Sequence, residues 1–171
     1  MTEALSAEIS ASLLWLFQDT LGLTTIADSS RLEFDAQLSD GSGAGQANLV
    51  WHDLRTVAAG ANDDLLLSAL PQSIFGNTVN LDFAAVKGIL IVNASTTTGD
   101  ELLVGAAPIH AWSAPLGSAT DKVRVPANSC LLLVNQNDGW TVTPGSADTL
   151  RIANLTGDDI PYKIVIVGVH A

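Results

Sequence analysis

Alternation of apolar and polar residues runs through much of this chain and predicts β-strands that are apolar on one face. The clearest stretch is Arg31–Ser39, where every second residue from Leu32 to Leu38 is apolar. The same alternation occurs in the segment Leu5–Phe17, where serines and Glu8 separate the apolar positions up to Leu13. A helix is the alternative there because alanine and leucine are good helix formers. The alternation favours a strand.

Further short strands are predicted along the rest of the chain. Some alternate, whereas others are apolar at consecutive positions, as in strands that are covered on both faces. They are Val79–Phe83, Val86–Val92, Val123–Val125, Cys130–Val134, Trp140–Val142, Leu150–Ala153 and Tyr162–His170. Clusters of Gly, Asn, Asp and Pro separate them and favour turns. Because no long amphipathic helix lies between the strands, the pattern predicts an all-β sandwich or barrel.

A glycine-rich stretch, Gly41–Gly45, lies between two long strand candidates. It predicts a hairpin arm in which Arg31–Ser39 turns back and pairs with Gln46–Val57. The second of these strands does not sort its apolar residues onto one face. It is therefore either sheltered on both faces or carries a contact surface. The single cysteine, Cys130, excludes an intrachain disulfide, and its apolar strand predicts a small buried side chain.

Composition narrows the classes of partner. The 171 residues correspond to one compact domain, with 47% hydrophobic but only 15% charged residues and a formal net charge of −11. Such a charge argues against binding of nucleic acid or of an anionic membrane, since both require Lys and Arg. So few charges on so apolar a chain suggest that a partner covers part of the surface. Residues 1–10 lack the cationic start of a secretory signal, which predicts a cytoplasmic site of synthesis.

The sequence predicts no catalytic residue, no cofactor and no metal, so the chain is interpreted as non-enzymatic. The glycine stretch lacks the Lys and Ser/Thr of a P-loop, and the three histidines match no zinc motif. The segment from Asn135 resembles the start of a calcium loop, but Ser146 stands where a bidentate Glu is required. A looser calcium site at Asp138 or Asp158–Asp159 stays open. The paired acidic residues are interpreted as solvated turns.

Several segments between Arg31 and the C-terminus follow one another in an order that is similar to that of a known group of proteins. They are the acidic and glycine-rich turn Ser39–Ala47, Trp51-His52, Gly139–Thr143, Asp148–Asn154 and Tyr162–Gly168. In this order the chain resembles the small virion structural proteins of tailed bacteriophages, of the capsid decoration (cement) type. The resemblance implies a single-domain antiparallel β-sandwich of jelly-roll type at residues 31–171. Residues 1–30 would form an N-terminal strand or arm, or part of a hairpin extension.

The resemblance also implies a function in the virion. A cement protein assembles in the host cytoplasm, binds the major capsid protein on the outer capsid surface, bridges capsomers and stabilises the shell. A homo-oligomer, dimer or trimer, would match the symmetry axes between capsomers. The two most apolar candidate segments are predicted to contact partners, or else to be buried strands. Their residues are Leu13, Leu14, Trp15, Leu16 and Phe17, and Val50, Trp51, His52 and Leu54.

Two other functions compete with this prediction. A tail-fibre or baseplate module for receptor binding would carry a solvent-facing pocket or an aromatic platform at the loop ends, near Trp112 or Trp140. A carbohydrate-active enzyme would need two carboxylates within about 5–10 Å of each other in a cleft. The acidic pairs give no sign of such a cleft.

Overall fold

The computed structural model describes residues 4–74 and 76–171, and its regular elements there are all β-strands. Residues 1–3, at the start of the predicted N-terminal segment, lie outside this description. The first seven strands are β1 (Ala7–Leu21), β2 (Thr24–Asp40), β3 (Gln46–Ala47), β4 (Leu49–Val57), β5 (Asn62–Leu66), β6 (Leu70–Ile74) and β7 (Asn77–Leu81). The next seven are β8 (Phe83–Asn93), β9 (Glu101–Gly105), β10 (Lys122–Pro126), β11 (Ser129–Val134), β12 (Trp140–Thr141), β13 (Thr149–Asn154) and β14 (Ile160–His170).

Eight of these strands form two antiparallel sheets. One sheet has the order β10-β9-β13-β5 and the other β11-β8-β14-β4. These eight strands can be numbered one to eight along the chain, starting with β4 as strand one and leaving out β6, β7 and β12. In these numbers the strand order of the two sheets is 5-4-7-2 and 6-3-8-1. This is the strand order of a jelly roll, in which eight strands form two Greek keys. The predicted all-β, jelly-roll-like sandwich is confirmed.

The core lies between the two sheets. Trp51 on β4 is opposite Ile166 on β14, and both are at most 1% exposed. They belong to one buried cluster with Leu102 on β9 and Ile152 on β13, in the other sheet. Each such side chain contributes about 1.5–3 kcal/mol when it is removed from water. The sandwich is thus stabilised by its own core.

The predicted pairing of Arg31–Ser39 with Gln46–Val57 is wrong. β2 pairs along its length with β1, from Ala7 opposite Leu38 to Leu21 opposite Thr24. A two-residue loop joins the two strands, and Gly22 has φ +65°, as the first position of a type II′ turn requires. β4 instead pairs with β14. The N-terminal segment is a strand, as predicted, and β2 runs across the predicted domain boundary at residue 30.

Cys130 corrects a second expectation. Its side chain is exposed, because β11 alternates and turns Leu131 and Leu133 towards the core instead. Cys130 lies opposite Val92 of β8 on the outer face of the sheet.

Candidate interaction surface

The strands β1 and β2 form an amphipathic ribbon, here called the arm. Residues directly opposite each other in an antiparallel pair lie on the same face. One face, the apolar face of the arm, carries Ala7, Ile9, Ala11, Leu13, Trp15 and Phe17 from β1 and Leu32, Phe34, Ala36 and Leu38 from β2. The opposite face is mostly polar, with Glu8, Ser10, Ser12, Glu33, Asp35 and Gln37, although Leu14 and Leu16 interrupt it.

The arm is attached to the sandwich at one end only. There Ala36 and Leu38 are each 1% exposed, and Leu38 packs with Ala47 and with Val167 of β14. Half-buried Ile9 lies directly over Gly88 of β8, so closely that a Cβ at this position would overlap its side chain. The apolar face of the arm therefore fits the outer face of the sheet β11-β8-β14-β4 at this root.

A β-bulge supports the root. Val167 pairs with Gly88 and Gly168 with Val86, which leaves Lys87 of β8 without a partner in β14. Lys87 is only 2% exposed, and its ammonium donates hydrogen bonds to the carbonyl oxygens of Gly43, at 3.4 Å, and Asn137. Bulges commonly redirect a side chain in this way. The glycine-rich turn is thus an anchored structural element.

Beyond the root the apolar face of the arm is uncovered. Leu13 is 65% exposed, Phe17 70% and Leu32 70%. From Ser10 to its tip the arm is roughly 40 Å long, at about 3.4 Å per residue. An isolated two-stranded hairpin is marginally stable in water. A continuous apolar patch of this size on a soluble protein marks an interaction surface.

The outer face of the sheet β11-β8-β14-β4 is a second apolar surface, here called the outer sheet face. One row across its four strands is His52, Val165, Leu90 and Leu132, and the next is Leu54, Lys163, Val92 and Cys130. Six of these eight side chains are apolar or weakly polar. Next to the root contact, a groove of about 510 Å³ lies between this face, at Leu90, Leu132 and Val165, and residues Ala7–Ser12 of the arm.

The predicted contact residues are divided between these two surfaces and the core. Leu13, Leu14, Trp15, Leu16 and Phe17 are exposed on the arm, and Val50, His52 and Leu54 are exposed on β4. The exception is Trp51, which is 1% exposed, with its indole N–H donating a 3.0 Å hydrogen bond to the carbonyl oxygen of Pro71. Its prediction as a partner contact is corrected, since alternation in β4 directs it into the core.

Other exposed apolar residues of the arm were not among the predicted contacts. They are Leu21, Leu23, Ile26, Leu32 and Phe34. For Leu32 and Phe34 the alternation in the sequence indicates one apolar face of a strand, but it does not indicate whether that face is exposed. Around the tip no pattern in the sequence distinguished the exposed residues.

Asp158 and Asp159 are exposed, as expected of a solvated turn, whereas the other two acidic pairs are held in structural hydrogen bonds. Asp63 accepts hydrogen bonds from Arg55 at 2.6 and 2.9 Å, and Asp64 accepts from Arg151 at 2.7 and 2.6 Å. Asp100 is 5% exposed and accepts a 2.5 Å hydrogen bond from the hydroxyl of Ser95. These carboxylates orient strands and loops.

Tyr162 completes one of these networks and yields a pH prediction. Its hydroxyl donates a 2.7 Å hydrogen bond to Asp63. Burial, together with this hydrogen bond, raises the pKa of Tyr162 well above its ordinary value of about 10. The folded state thus favours the protonated phenol. The contribution of Tyr162 to the free energy of unfolding is therefore fully present below pH ~10 and is lost as the pH rises further.

The chain has one tyrosine, so tyrosinate absorbance reports on Tyr162 alone. In an alkaline titration we expect this absorbance to appear only together with the loss of β-sheet circular dichroism. The Tyr162→Phe variant is the control for absorbance from other groups. Tyrosinate forming with a midpoint near pH 10 in a protein that stays folded would contradict the assignment.

The two tryptophans considered for a receptor-binding platform are packed against each other. Trp112 is 2% exposed, and its ring meets that of Trp140 edge to face at 6.5 Å. Its indole N–H donates a 3.0 Å hydrogen bond to the carbonyl oxygen of Thr141. Trp112 thus belongs to the core, with the half-buried Trp140 beside it.

Among residues 4–74 and 76–171, no three His, Cys, Asp or Glu side chains are grouped as ligands of a metal ion. The calcium hypothesis at Asp138 or Asp158–Asp159 stays a prediction. Nor does any helix of the length and apolarity needed to span a membrane occur in that part of the chain.

Comparisons with known proteins give a weak similarity to a solved structure. No protein-family model matches the chain, and no curated protein matches it in sequence. Among solved structures, it is similar to a chain described as "Cyanophage Pam1 capsid asymmetric unit". The identity is 22%, the match covers 75% of this chain and 89% of that chain, and the TM-score is 0.31. The jelly-roll assignment therefore rests on the strand order of the chain itself.

Proposed function

We propose that this chain is a non-enzymatic structural protein of a tailed-phage virion, a cement protein that binds the outer capsid surface and joins neighbouring capsomers. The observation that carries the proposal is the arm, a ribbon whose apolar face is covered at the root and uncovered beyond it. Such a ribbon stabilises an assembly by covering apolar surface on a neighbour, without any chemical step.

The rest of the surface is consistent with this role. A net charge of −11 keeps the sandwich soluble and repels stray nucleic acid during assembly. The acidic pair Asp63–Asp64 serves the fold through the ion pairs of Asp63 with Arg55 and of Asp64 with Arg151. What distinguishes the molecule is its two adjoining apolar surfaces. In the particle we propose the major capsid protein as a partner.

The test compares phage particles that carry the wild-type chain with particles in which Phe17 is replaced by Asp. Phe17 is on the apolar face of the arm, and Gln18, its neighbour on the other face, provides the matched control Gln18→Asp. We expect Phe17→Asp to reduce the copy number on the capsid at least about tenfold, since burying an unpaired carboxylate costs several kcal/mol. Gln18→Asp should retain near wild-type copy number.

Cryo-electron microscopy of the intact particle locates the chain, and heat-induced DNA release measures shell stability. Density at two-fold or three-fold positions on the capsid, with earlier DNA release from Phe17→Asp particles, would support the proposal. Density at the tail tip alone would replace it with a receptor-binding function. A particle without any copy of the chain would overturn the virion role altogether.

A further inference from the structure

We infer that the arm of one copy lies across the outer sheet face of a second copy, so that each sandwich is completed by its neighbour's arm. This names the partner of the arm and rests on the proposed function only for its place in a particle. The inferred contact is sheet-on-sheet packing, in which two apolar faces meet about 10 Å apart.

The root of the arm already shows that these two surfaces fit. There the apolar face of the arm covers Val167 and Gly88, which belong to the central strands of the outer sheet face. The next row of that face, with Val165, Leu90 and Leu132, continues the same surface and lines the groove under the arm, where Leu90 and Leu132 are half-buried. Val165 is 37% exposed. The inferred contact between two copies therefore continues, along the arm and along the outer sheet face, the contact that the root already makes within one chain.

The arm of the same chain covers this row only in part, because its residues Ala7–Ser12 line the groove above Leu90, Leu132 and Val165 without filling it. Its pairing register runs from Ala7 to Leu21 without a shift or bulge, so the arm is one continuous ribbon. Beyond Ser10 this ribbon leaves the sandwich, as the 65% exposure of Leu13 shows. A second copy supplies a ribbon of the same chemistry. At roughly 40 Å, the ribbon is long enough to span a sheet whose strand β14 is about 35 Å long.

The area available is that of a stable interface. The uncovered apolar side chains on this face of the arm are Leu13, Trp15, Phe17, Leu21, Ile26, Leu32 and Phe34. Together they expose roughly 800 Å², taking about 150–250 Å² for a complete aromatic side chain. A standard protein–protein interface buries about 800 Å² on each partner.

Charge is compatible with the same arrangement. Copies that each carry a net charge of −11 repel one another, so a contact between them has to use surfaces of low charge or opposite sign. On the apolar face of the arm the acidic residues are Asp19 and Asp28. On the outer sheet face the charged residue of the described rows is Lys163. The two surfaces therefore attract rather than repel.

The first experiment measures the mass of the purified full-length protein by light scattering after gel filtration. We expect the wild type at two or more times 17.8 kDa and Phe17→Asp at 17.8 kDa. Gln18→Asp, on the polar face, should retain the wild-type mass. Circular dichroism checks that each variant is folded, and Leu32→Asp is a second variant on the apolar face. A monomeric wild type would overturn the inference.

The second experiment asks where the arm lies. Cys130 is the only cysteine and is exposed on the outer sheet face. A double variant, Phe17→Cys with Cys130→Ser, is mixed with wild type and treated with a short bismaleimide. Because each chain then carries one thiol, a link between positions 17 and 130 joins two different copies. We expect this link, identified by peptide mass spectrometry. A link found only between two copies of position 17 would mean arm-to-arm packing and overturn the inference.

The failures of the two proposals are distinguishable. A monomer in solution that still decorates capsids would remove the arm exchange and leave the virion role. An oligomer with the link between positions 17 and 130 that is absent from every particle would remove the virion role and leave the arm exchange.

Discussion

Replacing Trp51 with alanine is expected to lower the free energy of unfolding by about 3–5 kcal/mol. Trp51 is among the largest fully buried side chains and is part of the core cluster shared by both sheets. Its removal leaves a cavity between the sheets, which the surrounding strands can fill only in part. It also removes the hydrogen-bond partner of the Pro71 carbonyl, which joins the β6–β7 hairpin to the sandwich.

Urea denaturation monitored by circular dichroism measures this loss. Leu155→Ala is the matched control, since Leu155 is 70% exposed and lies on neither apolar surface. Its effect should remain within about 0.5 kcal/mol. If the two variants unfold at the same urea concentration, Trp51 does not occupy the core position assigned to it.

The second large effect is expected at Gly168, in β14 beside the bulge at Lys87. A Cβ at Gly168 would overlap the carbonyl oxygen of Ala85 and lie 2.9 Å from the ring of Phe83. Because the main obstacle is backbone, a rotamer change cannot relieve it and β14 has to move away from β8. We expect Gly168→Ala to destabilise the protein by about 3 kcal/mol, at the upper end of ordinary overpacking effects.

Gly157→Ala is the control for the loss of a glycine as such, since nothing lies within 4 Å of a Cβ at that position. It should change the urea midpoint very little. Because β8 and β14 support the root of the arm, we expect Gly168→Ala also to loosen the arm. Limited proteolysis should cut the arm faster in the Gly168→Ala variant than in the Gly157→Ala variant. Equal stability of the two variants would contradict the close approach of β14 and β8.

The fold class could be predicted because alternation is a local property. In Arg31–Ser39 the period of two is visible in the residues themselves, and it is sufficient to identify β2 as a strand. Turn residues between short strands likewise indicated a sandwich. The partner of β2 could not be predicted in this way, because a period of two is compatible with pairing to any other strand. The hairpin is closed at Gly22, whereas the more conspicuous glycines around Gly43 join two strands, β2 and β3, that pair in parallel.

The interaction surface depended on the tertiary structure. Along β2 the same alternation continues from Ala36 and Leu38, which are buried, to Leu32 and Phe34, which are exposed. Trp15 and Trp51 lie in similar apolar surroundings in the sequence, yet one is on the arm and the other in the core. A period of two shows that one face of a strand is apolar but not what covers that face. Covering depends on residues distant in the chain, and here the strands of the sandwich cover the root of the arm and leave the rest bare.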